Sequence, residues 1–303
     1  MSVSVSGTSH DYGRLIRWVS TASVVTASIL IVIKAGAWFA TNSVSVLASL
    51  VDSLMDVAAS LVNFFALRYA LRPPDEDHRF GHGKAESLAG LGQAAFIAGS
   101  ALFLLLNAAD RFISPRQIEQ TAVGVGVMIV GIALTSGLLL FQRYVVLRTG
   151  SLAVRADALH YRTDLLANLA TLIVLIAASA GYSLLDPILA SIIALYVLYS
   201  AWQIGFGAMH TLMDREMDPR VHQQIERLAL DTAGVLGVHD VRTRQAGRRV
   251  MVQLHLDMDK DWTLDQAHSV TKQVEHKIRA LFDEADIIIH QDPVVSGRTT
   301  TRS

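Results

Sequence analysis

Six long apolar runs, at about 16–40, 43–70, 86–112, 120–146, 151–180 and 184–210, decide what this chain can fold into. Each is long enough to cross a hydrocarbon core of about 30 Å. In lipid every backbone N–H and C=O must be satisfied within the protein, so runs of this length cross as helices. Of the 303 residues, 51% are hydrophobic and 17% charged, which is too apolar for an ordinary soluble protein of this size. The formal net charge of −1 gives no bulk basic surface, so nucleic acid is not an expected partner. The absence of cysteine excludes disulfides, thiolate zinc sites and thiol catalysis.

Charge around the runs sets an expected orientation. Arg14 and Arg17 precede the first run, and no signal-type n-region and cleavage site stands ahead of it, so this run is expected to stay in the membrane. Arg68, Arg72, Arg79 and Lys84 surround the second connection, and Arg143, Arg148 and Arg155 the fourth. The connections at 41–42 and 181–183 carry no Lys or Arg, and the third has only Arg111 and Arg116. The positive-inside rule then places both termini and the even connections in the cytoplasm. The Arg72-Pro73-Pro74 run ends the second helix, because proline cannot continue a helix and restricts the residue before it.

Ionisable residues inside the apolar runs are costly and mark a pathway or a site. Asp52 and Asp56 stand four residues apart in the second run, and His160 and Asp164 repeat that spacing in the fifth. On a helix such pairs share one face. Counted from Ser43 and Ser151, both pairs lie nine and thirteen residues in. That is roughly 14–20 Å deep from opposite faces at about 1.5 Å per residue, near the midplane. Any one of these four side chains alone could be a buried group hydrogen-bonded to a neighbouring helix. Four at one depth can close a tetrahedral site for a divalent cation. Imidazole plus carboxylates suits Zn2+, and also Fe2+, Mn2+ or Cd2+. A weak repeat aligns Asp52 with His160, and with them Thr41 with Thr149, Ser43 with Ser151, Ala48 with Ala156 and Asp56 with Asp164. Asp157, three residues before His160, is expected on the helix surface, with orientation of that imidazole as the alternative, and Lys34 is expected to snorkel toward the outer interface.

After Asp214 the pattern changes to α-β-β-α-β. Helices are expected over 218–232 and 261–281, strands over 238–244, 249–257 and 286–290, with Ala246-Gly247 in the hairpin turn. Six of the eleven histidines lie beyond residue 220. His239, His255, His290 and Asp292 fall in or at the ends of strands and His268 on a helix, a pattern that reads as a metal site. His222 and His276 read as solvated, and His210 as a helix C-terminal cation. Asp75, His78 and His82 form a third candidate on the second connection. There Phe80-Gly81 lets the backbone fold back, although a solvated turn with incidental histidines fits the residues equally well.

The Asp-x3-Asp and His-x3-Asp pairs, the loop from Asp75 through Phe80-Gly81-His82-Gly83-Lys84 to Glu86, and the ending Ile287-Ile288-Ile289-His290-Gln291-Asp292-Pro293 resemble the cation diffusion facilitator family. The similarity runs from about residue 12 to 293 and is greatest to its bacterial zinc/ferrous-iron efflux members. The resemblance implies an all-α six-helix transmembrane domain followed by a small cytoplasmic α+β domain of metallochaperone-like type. It implies a homodimer in the inner membrane, exporting metal against inward proton flow.

Carried over by motif, Asp52, Asp56, His160 and Asp164 take the transport site, with His160 coupling protons. Asp75, His78 and His82 take a loop site, and His239, His255, His268, His290 and Asp292 a binuclear cytoplasmic site. Lys84 and Asp214 form an interlocking salt bridge. The expected division is an N-terminal arm over 1–13, the transport domain over 14–212, a metal-binding dimerisation domain over 213–293 and a disordered tail over 294–303. Zn2+ is the expected substrate and structural ligand, with Cd2+ or Fe2+ as alternatives. An intramembrane metalloenzyme is the first rival reading, but no HExxH or substrate motif is present and four protein ligands leave no open position. A passive channel is the second, but a full cage binds too well for fast conduction.

Overall fold

The computed structural model describes residues 9–42, 44–113, 122–178 and 184–294. The start of the expected N-terminal arm, the third connection with Arg116, the 181–183 connection and the expected disordered tail beyond Val294 lie outside the described residues. The elements are α1 Ser9–Thr41, α2 Val44–Ala70, α3 Lys84–Ile113, α4 Ala122–Thr149, α5 Leu152–Ala178, α6 Leu185–Leu212, α7 Pro219–Leu230, β1 Gly237–Ala246, β2 Arg249–Asp259, α8 Leu264–Arg279 and β3 Ala285–Val294. They divide into two compact units, with the boundary between Met209 and His210.

In the first unit all six helices are long and apolar enough to span a bilayer, which makes this a multi-pass membrane protein. Two apolar clusters hold it together. Ile16, Val19, Leu67, Val145, Ala153 and Val154 join α1, α2, α4 and α5. A second cluster, which includes Ala94, Ile97, Leu159, Val197 and Ile204, joins α3, α5 and α6. α5 belongs to both, so its position is fixed from two sides.

The ends of the site-bearing helices are fixed by local chemistry. α1 stops where Asn42 takes φ 51° and donates its N–H to Trp38 O at 2.7 Å. α2 begins at Val44 and packs along α1, with Lys34 of α1 reaching Ser49 and Ser53 of α2. Gly150, at φ 67°, supplies the left-handed residue that ends α4 and donates to Val146 O at 2.8 Å. Ser151 Oγ then accepts from Val154 N at 3.2 Å and Glu86 Oε1 from Leu152 N at 3.1 Å. Two orphan N–H groups at the start of α5 are satisfied this way, one of them by a carboxylate suited to the positive helix end.

The second unit is a three-stranded sheet in the order β1-β2-β3, with β1 antiparallel and β3 parallel to β2. The hairpin turn is Gly247-Arg248, one residue later than expected, because Ala246 still pairs with Arg249 and Gly247 takes φ 61°. On β2, Val250, Val252, Leu254, Leu256 and Met258 are buried with Ile225 and Ala229 of α7 and Val274 and Ile278 of α8. Side chains on a strand alternate between faces. Gln253, His255 and Asp257 therefore belong to the face turned away from the helices. Burying Leu254 or Leu256 contributes about 1.5–3 kcal/mol each. A capping box at Thr263 and Gln266 starts α8, and Asp218 with Pro219 starts α7.

Candidate metal centres

Asp52 and Asp56 are the ninth and thirteenth residues of the 27-residue α2, and His160 and Asp164 hold the same places in the 27-residue α5. Both pairs reach one cavity of about 430 Å³, which α1 and α4 also line. His160 Nε2 lies 3.0 Å from Asp56 Oδ1 and 3.7 Å from Asp164 Oδ2. One ligand atom from each of Asp56, His160 and Asp164 falls within 4.8 Å of the others, a separation a single ion can span. Asp52 lines the same cavity but stands outside this tight triad.

Two residues depart from their expected places. Lys34 does not snorkel. Its Nζ donates to Ser53 Oγ at 2.6 Å and to Ser49 O at 3.1 Å, and it lines the cavity with the acids. The packing of α1 against α2 brings the lysine alongside the Ser49–Ser53 stripe, so partners on the next helix take the ammonium before it can reach the interface. Asp157 is not on a helix surface either. It is 2% exposed and accepts from Ser23 Oγ at 2.6 Å, Gln142 Nε2 at 2.8 Å and Gln93 Nε2 at 3.3 Å. The same network continues through Tyr161, whose hydroxyl lies 2.8 Å from Ser60 Oγ and donates to Ser23 O at 3.1 Å. Asp157 and its neighbour Tyr161 thus tie α5 to four other helices one turn from His160.

The connection after α2 folds as its glycine allows. Gly81 takes φ 83°, and the His78 and His82 ring centroids come within 4.6 Å. The backbone N–H of His78 donates to Asp75 Oδ1 at 2.7 Å and holds that carboxyl below the ordinary carboxylate range. His82 is buried, with Nε2 3.2 Å from Asp75 Oδ2 but not aligned for a hydrogen bond, and neither ring nitrogen has a hydrogen-bond partner. Buried polar atoms are rarely left in that state, so the donor set fits a metal ligand. Asp75, His78 and His82 each offer an atom within 4.8 Å of the others.

In the second unit the register itself builds the cluster. His239 pairs directly with His255, and His255 with His290, so three imidazoles form one row across the sheet. Their ring centroids are 5.1 Å and 4.7 Å apart. Asp257 and Asp292, paired with each other two residues further on, share that face. Asp292 is the hub, with Oδ2 2.8 Å from His255 Nδ1 and 3.3 Å from His239 Nε2, and Oδ1 3.4 Å from His290 Nε2. Burial works to raise the Asp292 pKa, but the His255 bond and the flanking His290 and His239 outweigh it and hold the carboxyl below its usual range. His239, His255 and Asp292 each offer an atom within 4.8 Å of the others, a donor set that fits a borderline divalent ion, while the exposed His290 joins them only through Asp292 and its neighbour His255.

His268 stands exposed on α8 and is not among the residues brought together here. Asp257 belongs with the cluster although the sequence did not single it out: its Oδ1 lies 3.5 Å from His239 Nδ1. Its spacing of two from His255 on a strand was the signal. Asp214, at φ 57°, accepts from Arg244 at 2.8 Å within this unit, and Lys84 opens α3 in the other.

The family model described as the cation efflux transmembrane domain matches residues 20–213, and the one described as the cation efflux protein cytoplasmic domain matches residues 217–294. The chain is 45% identical over 290 residues to the cation-efflux pump FieF of Shewanella oneidensis, covering 96% of this chain and 98% of the relative. It is 46% identical over 283 residues to the protein of that name from Yersinia pestis, covering 93% and 94%. Among solved structures, a MamM CTD variant in its nickel form aligns with a TM-score of 0.24 and 20% identity, over 25% of this chain and 99% of that one.

Proposed function

The chain belongs to the cation efflux family, and from that premise we propose that it is a homodimeric, proton-coupled exporter of Zn2+-like cations working by alternating access. It is a divalent-metal efflux transporter and not an enzyme. The observation that carries the site assignment is the convergence of Asp56, His160 and Asp164 at matched mid-helix positions, with Asp52 on the same cavity wall. The ion sheds water and takes carboxylates and a neutral imidazole in its place. Bare carboxylates in a low dielectric are unfavourable, so the empty site must be neutralised before it returns. His160 Nε2, facing two carboxylate oxygens, is where a proton replaces the metal.

The histidine row of the second unit binds metal in a control and dimerisation module. Its ligands come from three strands, so a bound ion stabilises only the folded form. Zn2+ is the preferred cargo, with Cd2+ or Fe2+ accepted by the same oxygen and nitrogen donors. The family likeness supports an inner-membrane location, and the Lys and Arg distribution supports cytoplasmic termini.

The test is zinc flux into reconstituted vesicles with and without an imposed pH gradient. Flux that collapses when the gradient is removed supports the antiporter. Flux that follows the zinc gradient alone, unaffected by protons, would make the protein a passive channel.

A further inference from the structure

A cation-binding cavity in this protein already contains a cation. The Lys34 ammonium sits on the wall that Asp52, Asp56, His160 and Asp164 also form. It is held there by Ser53 Oγ at 2.6 Å and Ser49 O at 3.1 Å. Ser49, Ser53 and Asp56 recur at helical spacing on α2, so the anchors of the lysine and the ligands of the ion share one stripe. Nothing about hairpin packing alone requires a lysine there. An uncharged side chain of similar length would fill the same space without the cost of a charge in an apolar span.

We propose that Lys34 is a fixed counter-charge of the transport cavity, which weakens divalent binding enough to allow release and so sets turnover. Formal charges give the reason. Asp52, Asp56 and Asp164 contribute −3 and Lys34 contributes +1, so one divalent ion with a neutral His160 brings the cavity to zero. Without the ammonium the loaded cavity keeps a charge of −1. Part of the attraction for the ion is then never balanced, and the ion is held too tightly to leave. Lys34 touches no ligand atom in this role. It acts through the field that the carboxylates and the ion share, and Ser53 fixes its distance from them.

This inference rests on the α2–α5 site reading, and the experiment separates the two. Zinc flux of the full chain in vesicles is measured at about pH 8, where protons compete least for carboxylates. Lys34→Met and Lys34→Gln remove the charge, Lys34→Arg keeps it, and Ser53→Ala frees the ammonium from its anchor. A unit charge acting on a divalent ion across a partly buried cavity changes affinity by about tenfold or more. Both neutral variants should therefore lower KM by about tenfold and lower kcat with it. Lys34→Arg should stay within about twofold of the parent, and Ser53→Ala should shift KM the same way by less. A packing role would reduce folded protein without lowering KM.

Neutral variants with KM and kcat within about twofold of the parent would overturn the inference, as would an arginine variant that behaves like methionine. If the neutral variants do not yield folded dimer, Ser53→Ala decides: an unchanged KM there counts against the counter-charge. Asp164→Ala is run in parallel. Loss of its flux together with silent Lys34 variants sinks the counter-charge alone, whereas near-normal flux in Asp164→Ala sinks the site reading beneath it.

Discussion

Replacing Asp292 by Asn probes the histidine row at its hub. Asn keeps the size and one oxygen but removes the charge on which His239, His255 and His290 converge, at 3.3, 2.8 and 3.4 Å. A ligand that binds only the folded form stabilises it by about 2.7 kcal/mol at one hundred times its dissociation constant. A domain of this size shifts its melting temperature by roughly 4–8 °C per kcal/mol, so saturating zinc should raise it by roughly 10–20 °C over chelated protein. Residues 210–294 have their own buried core and can be studied alone. In scanning calorimetry the parent domain should show this zinc-dependent rise, and Asp292→Asn should lose most of it. With chelator present the two should melt within roughly 4–8 °C of each other, about 1 kcal/mol for one half-exposed hydrogen bond. No zinc-dependent rise in the parent, or the same rise in the variant, would refute the assignment of a metal to this face.

Other outcomes follow from particular residues. Because the folded environment holds Asp292 below its ordinary pKa, its contribution to metal-free stability is present above the unfolded carboxylate value of about 3.9 and lost as pH falls through the folded one. Acid titration of the chelated domain should therefore show a shallower loss of stability below about pH 4 in Asp292→Asn than in the parent. Thr263→Ala removes the side-chain half of the α8 capping box and should lower the stability of the same domain by about 1 kcal/mol, read as a shifted urea midpoint at unchanged slope. Asp157→Ala leaves Ser23, Gln93 and Gln142 without their shared acceptor. It should reduce the thermal stability of the detergent-solubilised chain far more than Asp56→Ala does, because the Gln93 amide loses its buried acceptor while Ser23 and Gln142 fall back on Val19 O at 3.2 Å and Ser23 Oγ at 3.1 Å. Equal melting of those two variants would show that the network does not anchor α5.

Much of the architecture was legible because membrane helices announce themselves by length and the small domain by its alternation of periods. The Asp52/Asp56 and His160/Asp164 pairs could be placed at one depth from helix rise alone, since each helix counts from its own end. What the sequence could not supply was lateral placement. Lys34 reads as an ordinary residue near a helix end until the packing of α1 on α2 sets it against Ser49 and Ser53. Asp157 is satisfied by Ser23, Gln93 and Gln142, which come from three other helices at 64 or more residues' separation for the first two, so no local pattern predicts its burial. The row of His239, His255 and His290 depends on strand register, including a parallel β2–β3 pairing closed by the α8 crossover and an irregularity between His239 and Arg242. Both the histidine pattern and the family likeness put His268 in that site, but α8 packs on the sheet's other face through Val274 and Ile278 and carries His268 exposed.

On the proposed mechanism the transported ion is held between α2 and α5. The most direct measurement is anomalous scattering from crystals of the zinc-loaded full chain. A zinc peak is predicted in the cavity bounded by Asp52, Asp56, His160 and Asp164, about 2.0–2.2 Å from carboxylate oxygens and from an imidazole nitrogen of His160. That peak should disappear in Asp164→Ala while peaks at the histidine row remain. Zinc at the histidine row with no peak between α2 and α5, in crystals of a chain that transports zinc in vesicles, would place the transport site elsewhere.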